Sequence, residues 1–240
     1  MRKNKAMATT TAKEFITQLV GLPALQHAEN ERFYKDEADG NLFLGVRMAE
    51  IFNMAKAFNP MDLPEIEKLL DSAYYEVRLG AVSIMDFMAR DKACSVATKK
   101  ALFELYINRH DSINNWDLVD RCAPYVVGGY LFDKDRSILY QLAKSKNVWE
   151  RRTAIVSTYY FIRQNDLDDT FKIGAILVHD KDDLINKAVG SWIREAGKRD
   201  TNKLLAFLNN YAVTMPRVTL RYDIEKLDKK QRDHYLNFHK

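Results

Sequence analysis

The sequence predicts an all-α protein, and two observations carry that prediction: few residues that punctuate sheets, and a helical opening pattern that returns at near-regular intervals. Only nine glycines and five prolines break up 240 residues, while Leu, Ala, Lys, Glu and Ile, which lose little freedom in a helix, recur throughout. Segments with apolar residues at helical spacing follow one another from about Ala12 onward. Short polar turns such as Asn59-Pro60-Met61-Asp62, Asn165-Asp166 and Asp180-Lys181-Asp182 separate them. With 47% hydrophobic residues, the chain has enough apolar side chain for a sizeable core or a short solenoid.

The recurring pattern places a basic residue before small and apolar ones: Glu76-Val77-Arg78-Leu79-Gly80-Ala81, Glu150-Arg151-Arg152-Thr153-Ala154-Ile155, Ile185-Asn186-Lys187-Ala188-Val189-Gly190 and Met215-Pro216-Arg217-Val218-Thr219-Leu220. Arg152 to Lys187 is 35 residues, Lys187 to Arg217 is 30, and Arg78 to Arg152 is 74, about two periods. Paired helices stacked as a solenoid suit that spacing, with equivalent turns and basic residues aligned along one side. Any single basic residue can equally cap or pair with a neighbouring unit. No linker divides the chain, so residues 1–240 read as one domain, with residues 1–11 as a flexible N-terminal extension.

The formal net charge of +4 is unevenly placed. From residue 140 onward Lys and Arg outnumber Asp and Glu by 19 to 13, whereas before it the balance is 18 to 20. A polyanion bound to the later part would release counterions. No run reaches the roughly 18 apolar residues of a membrane span, and the basic start is followed by Thr9, Thr10 and Thr11, so a cytoplasmic location is expected. Cys94 and Cys122 form no CxxC pair and read as reduced thiols. The five histidines lack HExxH spacing and a nearby cysteine cluster, so no metal is expected; no Walker loop or GxGxxG turn suggests a cofactor. Gly128-Gly129 reads as a bend.

Asn114-Asn115-Trp116-Asp117-Leu118-Val119-Asp120 has the form of a helix start, since Asn favours the cap and carboxylates favour the positive end of the dipole. Trp116 and Asp120, four apart, share one face a turn apart. From spacing alone the simpler account makes Trp116 a core filler and Asp120 the partner of a basic neighbour.

That segment, together with Trp149-Glu150-Arg151-Arg152-Thr153-Ala154-Ile155, Lys187-Ala188-Val189-Gly190 with Arg194-Glu195, and Met215-Pro216-Arg217 with Leu220-Arg221-Tyr222, resembles the AlkD-like DNA alkylation-repair family. Phe43-Leu44-Gly45-Val46-Arg47 is similar to its N-terminal motif. The likeness runs from about residue 40 onward. It implies a HEAT-like helical-repeat solenoid with a concave basic face, acting as a monomer on duplex DNA that contains alkylated bases. The implied activity is N-glycosidic hydrolysis of N3- or N7-alkylpurines, without necessarily flipping the damaged nucleotide into a deep pocket.

On that resemblance Asp120 and Trp116 match the functional carboxylate and aromatic, and Arg152 the DNA-contacting arginine. Lys187, Arg194 and Arg217 are candidates for further backbone contacts. Two adjacent arginines point about 100° apart on a helix, so Arg151 is passed over by motif position. One departure stands out: Ser191 follows Gly190 where the family usually has Trp, and the indole appears one step later, at Trp192. A non-catalytic binder of damaged or branched DNA, and a protein-binding helical scaffold, are the alternative readings.

Overall fold

The computed structural model describes residues 10–24 and 41–238. Among them the regular structure is helical, apart from one isolated parallel bridge between Leu42 and Tyr74. The all-α prediction therefore holds, and the chain divides into two compact units, residues 1–122 and 123–240. The expected N-terminal extension lies outside the described residues except at Thr10 and Thr11. Thr10 donates its hydroxyl to the Pro60 carbonyl at 3.0 Å, and the Thr11 side chain accepts from the Glu14 N–H at the start of the first helix.

The first unit contains α1 (Ala12–Val20), α2 (Met48–Ala57), α3 (Leu63–Leu70), α4 (Tyr75–Arg90), α5 (Val96–Asn108) and α6 (Trp116–Ala123), whose last residue begins the second unit. Helix α4 is buried almost all round, as its apolar run Val77, Leu79, Ala81, Val82, Ile84 and Met85 requires. It packs against α2, α3 and α5, while α1 lies on α2 and α3. The bridge at its start is functional for the helix: Leu42 accepts from the Tyr75 N–H at 2.8 Å, satisfying one of the orphan donors of the first turn.

The second unit opens with a π-helical segment, Pro124–Gly128, and continues through α7 (Gly129–Leu131), α8 (Ser137–Leu142), α9 (Val148–Arg163), α10 (Asp168–Leu177), α11 (Asp183–Gly197), α12 (Thr201–Tyr211), α13 (Arg217–Asp223) and α14 (Lys229–Asn237). Helix α9 packs on α10 and α11, α10 on α11 and α12, and α11 on α12 and α13. Contact with the next helix and the next but one is what a stack of helix pairs requires. Asn147, Asp182, Asp200 and Asp228 cap α9, α11, α12 and α14 by accepting backbone N–H groups. The Asn165-Asp166 turn puts Asn165 at φ 60°, a left-handed conformation that Asn tolerates better than most residues.

Two glycines allow close helix approach. A Cβ on Gly128 would meet the Ser157 carbonyl oxygen at 2.1 Å, so this residue serves helix contact rather than a phosphate cradle. A Cβ on Gly190 would lie 2.5 Å from the Tyr222 Cβ and 3.0 Å from the Thr219 carbonyl oxygen, across the α11–α13 contact. Gly190→Ala is expected to push these helices apart and cost about 1–3 kcal/mol, read as a lower urea midpoint.

The repeat register differs from the sequence spacing in two places: Arg217 is the first residue of its helix, where Arg152 and Lys187 are the fifth of theirs, and Arg78 has another counterpart than Arg152. Arg78 and Arg151 are each the fourth residue of their helices, and each sends Nη1 to the carbonyl of the serine six positions earlier: Ser72 at 2.6 Å and Ser145 at 3.0 Å. The structural counterpart of Arg78 is therefore Arg151, not Arg152. Arg152 and Lys187 do share a position, each the fifth residue of its helix.

Candidate functional site

Helix α6 begins as its sequence dictates. The Asn115 carbonyl accepts from the Val119 N–H at 3.2 Å, and its side-chain oxygen accepts from the Asp117 N–H at 3.1 Å. Trp116, at the first helical position, is 43% exposed, and Asp120 one turn later is half-buried. Between them Leu118 and Val119 are fully buried, so packing of the opposite face fixes the pair's outward direction. Asp117, the first-turn carboxylate, accepts from the Tyr75 hydroxyl at Oδ2, 2.8 Å away. Arg78 Nη2 reaches the Asn114 side-chain oxygen at 3.2 Å, just ahead of the cap.

A buried charge cluster anchors this helix from behind. Asp86 of α4 is fully buried; Arg90 Nε donates to its Oδ1 at 2.8 Å, and Arg121 Nη2 lies 3.2 Å from Oδ2, off the line of a hydrogen bond. Arg121 Nε donates to the Ser83 hydroxyl at 3.2 Å, and its guanidinium lies 4.7 and 4.8 Å from the ring centroids of Phe52 and Phe87. Burial pushes the Asp86 carboxyl above the usual aspartate range, with Arg121 and Arg90 opposing it. Since Arg121 follows Asp120 directly, this cluster sets the axial rotation at which α6 presents its acid. Sequence reading missed it, although a carboxylate inside Ile84-Met85-Asp86-Phe87-Met88 signals a buried ion pair, because a lone acid there would be costly.

The basic candidates lie in the second unit. Arg152 is only 7% exposed and donates Nη1 to the Leu184 carbonyl at 2.8 Å, tying α9 to α11. Its neighbour Arg151 holds Asp180 through Nε at 2.6 Å and Nη2 at 3.2 Å. Lys187 is exposed and pairs with Asp183 at 2.5 Å, which raises its pKa and keeps it cationic. Arg194 pairs with Glu225 and lies 5.8 Å from the Tyr222 ring centroid. Arg217 opens α13 with its Nη1 buried and lacking a hydrogen-bond partner among the described residues. Among the described residues, no group of three or more His, Cys, Asp or Glu side chains could hold a metal ion.

The sequence of this chain matches the model of the family described as DNA alkylation repair enzyme over residues 23–227. The chain belongs to that family. No curated protein sequence matches this member of the family. A solved structure titled as a predicted DNA alkylation repair enzyme from Enterococcus faecalis is similar, with TM-score 0.68 and 15% identity, over 87% of this chain and 99% of that one. AlkD2 from Streptococcus mutans follows at TM-score 0.51 and 18% identity, over 95% and 97% of the two chains. The protein smu.31 from Streptococcus mutans UA159 gives 0.54 and 19%, over 83% and 97%. These likenesses establish the shared fold. Among the described residues, no helix is long and apolar enough to cross a membrane.

The displaced indole of this family member lies half-buried against the core of its unit. Trp192 stacks on Tyr159, with centroids 5.1 Å apart and planes at 24°, and rests on the buried cluster of Ile162, Leu167 and Ala196. Moving an aromatic one position rotates it by about 100° around the helix, and here the indole sits half-buried against the core. Asp223, on α13, is also fully buried, and neither carboxylate oxygen has a hydrogen-bond partner among the described residues. Burial raises its pKa well above the usual aspartate range, against an opposing contribution from Arg194. The stability it contributes is complete below the unfolded aspartate range and is lost as pH rises through the elevated native value. Asp223→Asn is therefore expected to stabilise the protein near neutral pH and to flatten its stability–pH profile, as measured by chemical denaturation at several pH values.

Proposed function

We propose that the protein is a DNA glycosylase that hydrolyses the N-glycosidic bond of cationic N3- or N7-alkylpurines in duplex DNA. The observation that carries this reading is the pairing on α6 of an exposed indole with a half-buried carboxylate one turn away, on a capped and internally anchored helix. An alkylated purine already bears positive charge, so its departure with the electrons of the C1′–N bond needs no general acid. The deoxyribose then becomes an oxocarbenium ion, which a nearby carboxylate stabilises.

In this reading Asp120 supplies that field and takes a proton from the water that adds to C1′, while the base leaves as a neutral alkylpurine. The Trp116 face attracts the cationic base or packs on the sugar. Lys187, Arg194 and Arg217 grip backbone phosphates. Arg152 does so from a position that is only 7% exposed and tied through Nη1 to the Leu184 carbonyl. Charge selectivity tests the mechanism: with purified protein, 7-methylguanine should be released from duplex DNA while an uncharged oxidised purine is retained. Equal release of both would remove the cationic leaving group from the mechanism.

Ser191, with Trp192 stacked on Tyr159 and half-buried against the core, supports a second reading as a non-catalytic binder of damaged or branched DNA, since one expected aromatic is missing. Retained affinity for methylated duplex with no base release would select it.

A further inference from the structure

Helices α13 and α14 enclose an open pocket of about 750 Å³ within the second unit, lined by Arg217, Arg221 and Arg232. Each arginine lacks an ion-pair partner among the described residues, in a protein where most described arginines are engaged with acids, carbonyls or side-chain oxygens. Arg217 Nη1 is shielded from solvent with no hydrogen-bond acceptor among the described residues, an arrangement that costs free energy. Arg221 and Arg232 are exposed.

Two acids also line the pocket, Glu225 and Asp233. Glu225 is already occupied by Arg194 and by Lys226 at 2.6 Å, and these contacts hold its carboxyl below the usual range. Only Asp233 therefore opposes the three guanidiniums, and the lining stays net positive. Ile224 and Leu236 add apolar surface. The volume exceeds what a bare oxyanion fills and falls in the range of small-molecule sites.

We infer that this pocket binds a phosphate group carried on an organic body, with Arg217, Arg221 and Arg232 as its charge-assisted donors. The phosphate can come from a DNA strand or from a free nucleotide. The inference shares Arg217 with the proposed glycosylase reading but does not depend on base release.

The test uses two unmodified probes at low ionic strength, deoxythymidine 5′-monophosphate and a short duplex, titrated against the full chain and against the double variant Arg221→Gln/Arg232→Gln. Both substituted side chains are exposed and have no ion-pair partner among the described residues, so an unchanged Tm is expected; the single charge reversal Arg232→Glu serves if the double variant unfolds early. Mononucleotide binding that weakens at least tenfold in the variant assigns a free-nucleotide site. If the duplex alone binds, and its log K against log salt slope falls by about two in the variant, the source is the DNA backbone. Failure of both probes to bind, or variant binding equal to that of the natural sequence, would overturn the inference. Because neither probe contains a lesion, loss of glycosylase activity and loss of this site are separately visible.

Discussion

Replacing Asp86 by Ala is expected to lower folding stability by about 3–5 kcal/mol, because it leaves Arg121 beside a buried site without its counter-charge. Arg90 loses a bond at 2.8 Å and Arg121 an ion pair at 3.2 Å, while the cavity left in α4 adds a packing loss. The cation–π contacts to Phe52 and Phe87 remain, but they cannot replace an anion in the interior. Urea denaturation reads the loss directly. A drop below about 1 kcal/mol would mean that the cluster does not anchor α6.

Asp120→Asn should reduce the rate of alkylpurine release by about 10²–10³-fold while duplex affinity changes by less than about twofold. Asparagine has nearly the same shape and can still hydrogen-bond, so the substitution removes charge with little loss of packing. The half-buried position matters, since a carboxylate fully in water would exert a weaker field on the sugar. Single-turnover release and equilibrium binding on the same preparations separate catalysis from affinity. If release and affinity fell together, Asp120 would be a binding residue instead.

Local signals carried much of the fold. Asn115 caps α6 as its position implies, Asn165 takes the left-handed turn, and Asp182 caps α11 after the Asp180-Lys181-Asp182 turn. Each of these depends on a side chain and its own neighbouring backbone, so a linear string is enough to see it. The outcome at Trp192 was legible for the same reason, because one step along a helix fixes a rotation.

Residues whose roles depend on distant segments were not legible. Choosing between Arg151 and Arg152 needs the positions of Asp180 and Leu184, about thirty residues away in sequence, and the structure gives each arginine one of these partners. Spacing could suggest that Arg78 has a counterpart, but only the shared bond to a serine carbonyl six residues back identifies it as Arg151. Asp86 meets Arg121 across 35 positions, and the pocket of Arg217, Arg221 and Arg232 forms only once α14 folds beside α13. Charge balance along the chain pointed to the later residues but could not separate paired arginines from unpaired ones.

The account rests on α6 carrying a working acid beside an exposed indole, and the measurement that reaches it most directly is the single-turnover rate of 7-methylguanine release from duplex DNA by the purified protein. The account predicts release well above the spontaneous rate of protein-free DNA. Release at the spontaneous rate, from protein that demonstrably binds the same duplex, would contradict it.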